Sequence, residues 1–93
     1  MAKEEKRNIP KTLEEAIIEL DKELSSEDKN FLLENGPLSV HHSLGRWIRN
    51  NWGLWGDPEF SELKKSLLEQ GLEHPDDMSN HIIEEYITHL KLL

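Results

Sequence analysis

The residues best suited to chemistry in this chain are concentrated between His41 and Trp55, where the sequence reads HHSLGRWIRNNWGLW. This segment holds all three tryptophans, two arginines, two histidines and two glycines. Histidine is the commonest general acid or base, and tryptophan and arginine dominate protein-binding hot spots. The segment is therefore predicted to anchor the core, to form a recognition site, or to do both.

A second polar cluster is the motif HPDDMS, which begins at His74. One interpretation is structural: Asp76 or Asp77 caps the last helix, and Arg49 pairs bidentately with one of them, which ties two helices together. The other interpretation is an acid–base cluster in which His74, Asp76 and Asp77 meet His41 across a cleft. Adjacent aspartates cannot both face one point on a regular helix, so the pattern favours the structural tie.

Other catalytic and metal-binding patterns are weak or absent from the sequence. His81, Glu85 and His89 recur at helical spacing, but they fall on the solvated flank of the last predicted helix, so no metal site and no cofactor are expected. There is no cysteine, no G-x-S-x-G and no phosphate-binding glycine motif. No reaction is specified, and an enzyme is the less favoured class of protein.

The third predicted helix places His41, Gly45, Arg49 and Trp52 within about 80° of one another at 100° per residue. A glycine inside a helix costs roughly 1 kcal/mol relative to alanine, so a compensating interaction is expected. Either another helix approaches closely at Gly45 while His41 and Arg49 are hydrogen-bonded at the core edge, or these residues line a groove that a partner enters.

Three further residues complete the candidate interface. His42 and Arg46 are predicted to point into solvent, where a partner can reach them. Trp55 is expected to fold back onto the third and fourth helices, and if exposed it would be an interface anchor. The full predicted interface consists of His41, His42, Arg46, Arg49, Trp52, Trp55 and His74.

Apolar periodicity and capping residues predict an all-α, compact single domain of four to five helices over residues 10–93, after a flexible arm at residues 1–9. Thr12 and Glu15 form a capping-box pattern, and Asp57 with Pro58 is typical of a helix start. The predicted helices are Leu13 to Leu24, a short one from Glu27 to Asn35 that Ser25 and Ser26 cap and Gly36 stops, Leu38 or Ser39 to Asn51, Asp57 to Gln70 with Phe60 inward, and Asp77 to Leu92. The last has a wide apolar arc and is expected to be central.

Composition narrows the class of partner. The 93 residues include 19 acidic and 11 basic ones, for a net charge of −8. This balance argues against binding to nucleic acid or to an anionic membrane. A basic protein partner remains allowed, although solubility alone is the preferred explanation of the acidity. No apolar run approaches the length of a membrane span, so a soluble protein is expected, and the absence of cysteine fits a cytoplasmic one. The oligomeric state stays open.

The strings HxxLGxxIRNxWGLW from His41 and HPDDMS from His74 resemble an uncharacterised family of small bacterial and phage-associated helical proteins. The resemblance runs from about Pro10 to Leu90 and implies the helical fold and a bacterial or phage origin, but no activity. The motif's polar positions are His41, Arg49, Asn50, His74, Asp76 and Asp77. We therefore expect an acidic protein-interaction module, with an immunity, anti-defence or regulatory role; a small enzyme or nucleotide-binding module using the His/Arg/Asp cluster is the alternative. Mimicry of nucleic acid is a minor third hypothesis, because it needs acidic residues on one face and here they are spread over four of the five predicted helices.

Overall fold

The computed structural model describes residues 9–56 and 61–92, and these ranges contain helices and turns but no β-strand. The all-α class and the compact single domain are confirmed. The predicted arm lies outside the described residues apart from the exposed Ile9. In chain order the elements are α1 (Leu13–Glu23), α2 (Ser26–Asn35), a 3-10 helix (Pro37–Val40), α3 (Leu44–Asn51), α4 (Glu62–Glu69) and α5 (Pro75–Lys91).

The first two helices begin at side-chain caps. Thr12 Oγ1 accepts a hydrogen bond from the Glu15 backbone N–H at 3.1 Å, but the Glu15 carboxylate accepts from the Lys11 N–H instead of from Thr12. The predicted capping box of α1 is therefore only half formed. Before α2, Ser25 and Asp28 form the complete reciprocal box.

The third predicted helix is wrong in its first half, because the chain forms a 3-10 helix, a turn over residues 41–43, and only then α3. Two serine hydroxyls bind backbone carbonyls three residues earlier: Ser39 Oγ donates to Gly36 O at 2.6 Å and Ser43 Oγ donates to Val40 O at 3.4 Å. Serine competes with the helical backbone in this way. The end of α3 is as predicted, with Gly53 at φ +73°.

The last two helices also begin differently from the prediction. The predicted cap at Asp57 and Pro58, with Phe60, lies outside the described residues, and α4 as described begins at Glu62 behind a Ser61 cap. The cap of α5 is not Asp76 or Asp77, because the His74 Nδ1 accepts from the Asp76 backbone N–H at 3.3 Å.

Helix α5 is central, as predicted. It packs against α1, α2, α3 and the 3-10 helix. Tyr86, Ile82 and Met78 of α5 are completely buried, and they meet Leu20 of α1 and Ile48 of α3 in one apolar core. Within the described part of the chain, no helix is long and apolar enough to cross a membrane.

Candidate functional site

Arg49 is the centre of the site. Its side chain is only 6% exposed. The Nη1 donates to Ser79 Oγ at 2.8 Å and the Nη2 donates to the His41 carbonyl at 3.3 Å. The Nε lies 3.4 Å from Asp76 Oδ1, yet within the described residues this N–H has no acceptor with hydrogen-bond geometry. The contact with Asp76 is therefore mainly electrostatic and not bidentate.

Arg49 therefore links the third and last helices, as the sequence predicts, but its partners on the last helix differ from the predicted ones. Arg49 meets Asp76 and also Ser79, which lies one helical turn further along α5 and was not among the predicted site residues. Asp77 is exposed and, among the described residues, has no contact of this kind with Arg49. A serine three positions after an aspartate on one helix face is the signal that points to Ser79.

Gly45 gives the Arg49 guanidinium its space. A Cβ atom at this position would lie 3.0 Å from Arg49 Nη1 and 3.6 Å from Ser79 Oγ, which is tighter than ordinary van der Waals contact at the first of these atoms. The glycine is buried inside α3. Its cost in helix propensity is therefore offset by the polar contact between α3 and α5.

Two histidines approach Asp76 as well. His41 Nε2 lies 4.0 Å and His74 Nδ1 lies 3.9 Å from the same oxygen, Asp76 Oδ2. Four of the predicted residues therefore converge, with Asp76 at their centre. The His74 Nδ1 is already the acceptor that caps α5, which occupies the nitrogen nearest to the carboxylate.

An open groove lies on the outer side of Arg49. We call it the arginine groove; its volume is about 410 Å³ and it is lined by His42, Arg46, Arg49, Asn50 and Trp55. The Trp55 side chain folds back onto α3, one of the two helices predicted to receive it, but remains 57% exposed. Its Nε1 donates to Asn50 Oδ1 at 3.1 Å, and its ring centroid lies 6.0 Å from Arg49 Cζ.

The arginine groove is lined by two arginines and by no carboxylate, although Asp76 of α5 lies 3.4 Å from Arg49 Nε. Residues 35–56 contain no aspartate or glutamate, and all 19 acidic residues lie elsewhere in the sequence. The hydrogen bond from Trp55 occupies the carbonyl oxygen of Asn50, which leaves the Asn50 amide nitrogen as a donor. Two guanidinium groups and this amide therefore offer donors to the groove, and such a surface binds anionic oxygen.

Trp52 belongs to the core and not to the interface. Its side chain is 3% exposed and meets the edge of Trp47 with the two ring centroids 5.7 Å apart. The prediction that Trp52 lines a partner surface is therefore wrong, because a partner cannot reach it. Only its place in the chain, at the C-cap of α3 instead of in the turn that follows, and not its residue type, distinguishes it from the exposed Trp55.

A second polar network, which sequence reasoning missed, joins α1, α2 and α5. The buried Tyr86 hydroxyl donates to Asp21 Oδ1 at 3.0 Å, and Lys29 Nζ lies 3.2 Å from the same oxygen. The hydrogen bond from Lys29, and then that from Tyr86, lower the pKa of Asp21. Burial, and then the bond to Asp21, raise the pKa of Tyr86 well above its usual range. A tyrosine in a buried helical arc is the sequence signal, since its hydroxyl needs a partner.

Metal binding finds no support in the geometry. Across residues 9–56 and 61–92, no group of three or more histidine, aspartate or glutamate side chains is arranged to hold an ion. His89, one of the three residues with helical metal spacing, stacks on the Tyr86 ring with centroids 6.2 Å apart.

The fold and the site together define a small helical domain in which a buried arginine lies beneath an exposed, donor-lined groove. The chain belongs to the family described as Domain of unknown function (DUF6794), which matches residues 9–90. Comparison with curated proteins finds no match, and comparison with solved structures finds none either.

Proposed function

We propose that this chain is a protein-binding module whose arginine groove receives an acidic segment of its partner. The observation that carries the proposal is the half-exposed Trp55 beside Arg46 and Arg49 in a stretch without acidic residues. Tryptophan and arginine supply most of the binding energy at interfaces. No carboxylate lines the arginine groove, and Asp76, which lies 3.4 Å from Arg49 Nε, approaches that side chain without being part of the lining.

The two arginines have different parts in this proposal. Arg49 is held by Ser79 and His41 and lies beside Asp76, so it presents a fixed guanidinium, partly balanced by that carboxylate, and loses little entropy on binding. Arg46 is exposed and can close onto the ligand. Trp55 adds a flat apolar surface for a neighbouring side chain of the partner.

The acidic ligand proposed for this groove differs in charge from the basic partner that the net charge of −8 allows. Charges are screened beyond about 8–10 Å at physiological salt. A segment inside the groove is therefore governed by the arginines that line it, and the distant carboxylates of the other helices influence mainly the approach. An immunity, anti-defence or regulatory role in bacteria or phage is compatible with such binding and remains part of the proposal.

A small anionic ligand is the second candidate. The groove volume of about 410 Å³ falls in the range of roughly 300–1,000 Å³ that is typical of small-molecule sites. Trp55 could stack on a nucleobase while the arginines bind phosphate, so the nucleotide-binding hypothesis is tested in the same experiment.

The test is selection of displayed random peptides on the immobilised chain, followed by calorimetric titration of the selected peptides. We expect enrichment of aspartate and glutamate next to an aromatic or aliphatic residue. Arg46→Ala and Trp55→Ala should each weaken binding by about tenfold or more, and binding should also weaken as salt is raised.

Matched controls are available on the same chain. Lys65→Ala removes one exposed positive charge from α4, and Leu38→Ala removes one exposed apolar side chain; neither residue lines the groove. Both should leave affinity unchanged. Selected peptides that lack acidic residues, or equal affinity in the Trp55→Ala variant, would contradict the proposal. Binding of ATP that depends on Arg46 and Trp55, with no peptide selected, would establish the second candidate instead.

A further inference from the structure

A second groove lies at the junction of α1, α2 and α3. We call it the apolar groove; its volume is about 220 Å³ and it is lined by Leu24, Asp28, Phe31, Leu32, Val40, Ser43 and Leu44. Phe31 forms one wall and is 48% exposed. Five of the seven lining residues are apolar, so the groove exposes to water a surface that would be more stable when covered.

The rim of the apolar groove on α2 is negatively charged. At 100° per residue, Glu27, Asp28 and Glu34 all lie within about 60° of Phe31 around the helix axis. Lys29, the only cation of α2, lies 3.2 Å from Asp21 of α1. The apolar floor is therefore bordered by carboxylates.

We infer that the apolar groove is a separate docking site for an amphipathic helix that inserts an apolar side chain beside Phe31 and carries lysine or arginine on its flanks. Helix-in-groove recognition uses such apolar anchors, and the acidic rim selects the sign of the flanking charges. The small volume suits one large side chain better than a metabolite. A second copy of this chain is a poor occupant, because it would bring a net charge of −8 to an acidic rim.

The apolar groove and the arginine groove are formed in part by neighbouring residues of the chain, but no residue lines both. Ser43 and Leu44 line the apolar groove, whereas His42 and Arg46 of the same stretch line the arginine groove. The two surfaces can therefore be tested independently, and loss of one does not imply loss of the other.

The experiment uses the full chain and a fluorescent synthetic peptide with leucine on one helical face and lysine on both flanks. One comparison peptide has glutamate in place of every lysine, and another has the same residues in scrambled order. We expect the chain to bind the leucine–lysine peptide at one-to-one stoichiometry, measured by fluorescence anisotropy. Phe31→Ala, and separately the double variant Glu27→Lys with Glu34→Lys, should each weaken binding by about tenfold or more.

Three controls separate docking from general attraction to an acidic protein. The double variant Glu69→Lys with Glu73→Lys makes the same change in net charge at exposed positions that do not line the groove. Leu38→Ala removes an exposed apolar side chain that is not part of the groove. Arg46→Ala alters only the arginine groove. All three should bind the peptide as the unchanged chain does, with the same helical circular dichroism spectrum.

Several outcomes would overturn the inference. One is that the Glu69 and Glu73 double variant weakens binding as much as the Glu27 and Glu34 double variant does. Another is that Phe31→Ala leaves the affinity unchanged. A third is that the scrambled peptide or the glutamate peptide binds as tightly as the leucine–lysine peptide. A dimer seen by light scattering that Phe31→Ala dissociates would place a second copy in the groove and would also overturn it.

Discussion

The α3–α5 junction and the α1–α2 region handle charge in opposite ways. At the α3–α5 junction, the charged Arg49 is buried and the tryptophan beside it is exposed. In the α1–α2 region, the buried atom is the neutral Tyr86 hydroxyl, and the charged pair of Asp21 and Lys29 remains partly in solvent. A fixed buried charge needs partners on three sides, whereas a partly solvated pair does not.

The net charge of a chain is therefore a poor guide to the chemistry of its individual surfaces. The arginine groove belongs to a 22-residue stretch without acidic residues, at positions 35–56. The apolar groove is bordered by an acidic helix. Two ligands of opposite charge are therefore expected on one protein, and substitutions in the two regions should differ in size and in sign.

The largest expected effect is at Arg49. Arg49→Ala removes a packed side-chain stem and its hydrogen bonds to Ser79 and His41, so we expect the free energy of unfolding to fall by about 3 kcal/mol. Urea unfolding followed by circular dichroism measures this. The control Arg46→Ala, at an exposed position, should change stability by less than about 0.5 kcal/mol. Equal effects at the two positions would remove the distinction between a structural and a ligand-facing arginine.

Replacing Gly45 should have a smaller effect on the free energy of unfolding, and the sign of that effect should depend on whether Arg49 is present. In the unchanged chain, Gly45→Ala should lower the free energy of unfolding by about 1 kcal/mol, because the new methyl group displaces a guanidinium that Ser79 holds in place. With Arg49→Ala already present, the same substitution should stabilise by about 1 kcal/mol through helix propensity. A double-mutant cycle measures the coupling, and a cycle without coupling would mean that the glycine serves another contact.

The smallest effect concerns pH in the α1–α2 region. The folded-state pKa of Asp21 is lowered from 3.8, so its contribution to stability is present above that value and is lost as the pH falls through the folded-state pKa. We expect Asp21→Asn to reduce the loss of stability between pH 7 and pH 3, by at most about 1 kcal/mol because the pair is partly solvated. Glu14→Gln, an exposed change on the same helix, is the control. An equal change in both variants would contradict the assignment.

Local patterns predicted the elements well, and tertiary packing decided what they could not. The cap at Ser25, the glycine after α3 and the buried arc of α5 depend on neighbours in sequence, so periodicity and capping rules predict them. The break before α3 depends on two serine hydroxyls that bind carbonyls, a competition that spacing alone does not resolve. Likewise, the exposure of Trp55 and the burial of Trp52 follow from how α3 sits on α5.

The central position of α5 has a consequence for synthesis of the protein. Its buried residues lie between Met78 and Ile87, after every helix that they cover. While the ribosome is still translating this stretch, the apolar faces of the earlier helices have nothing to pack against and remain open to aggregation or to chaperones. Premature termination before Met78 should therefore leave a polypeptide that lacks the central helix of its core, and not a smaller domain.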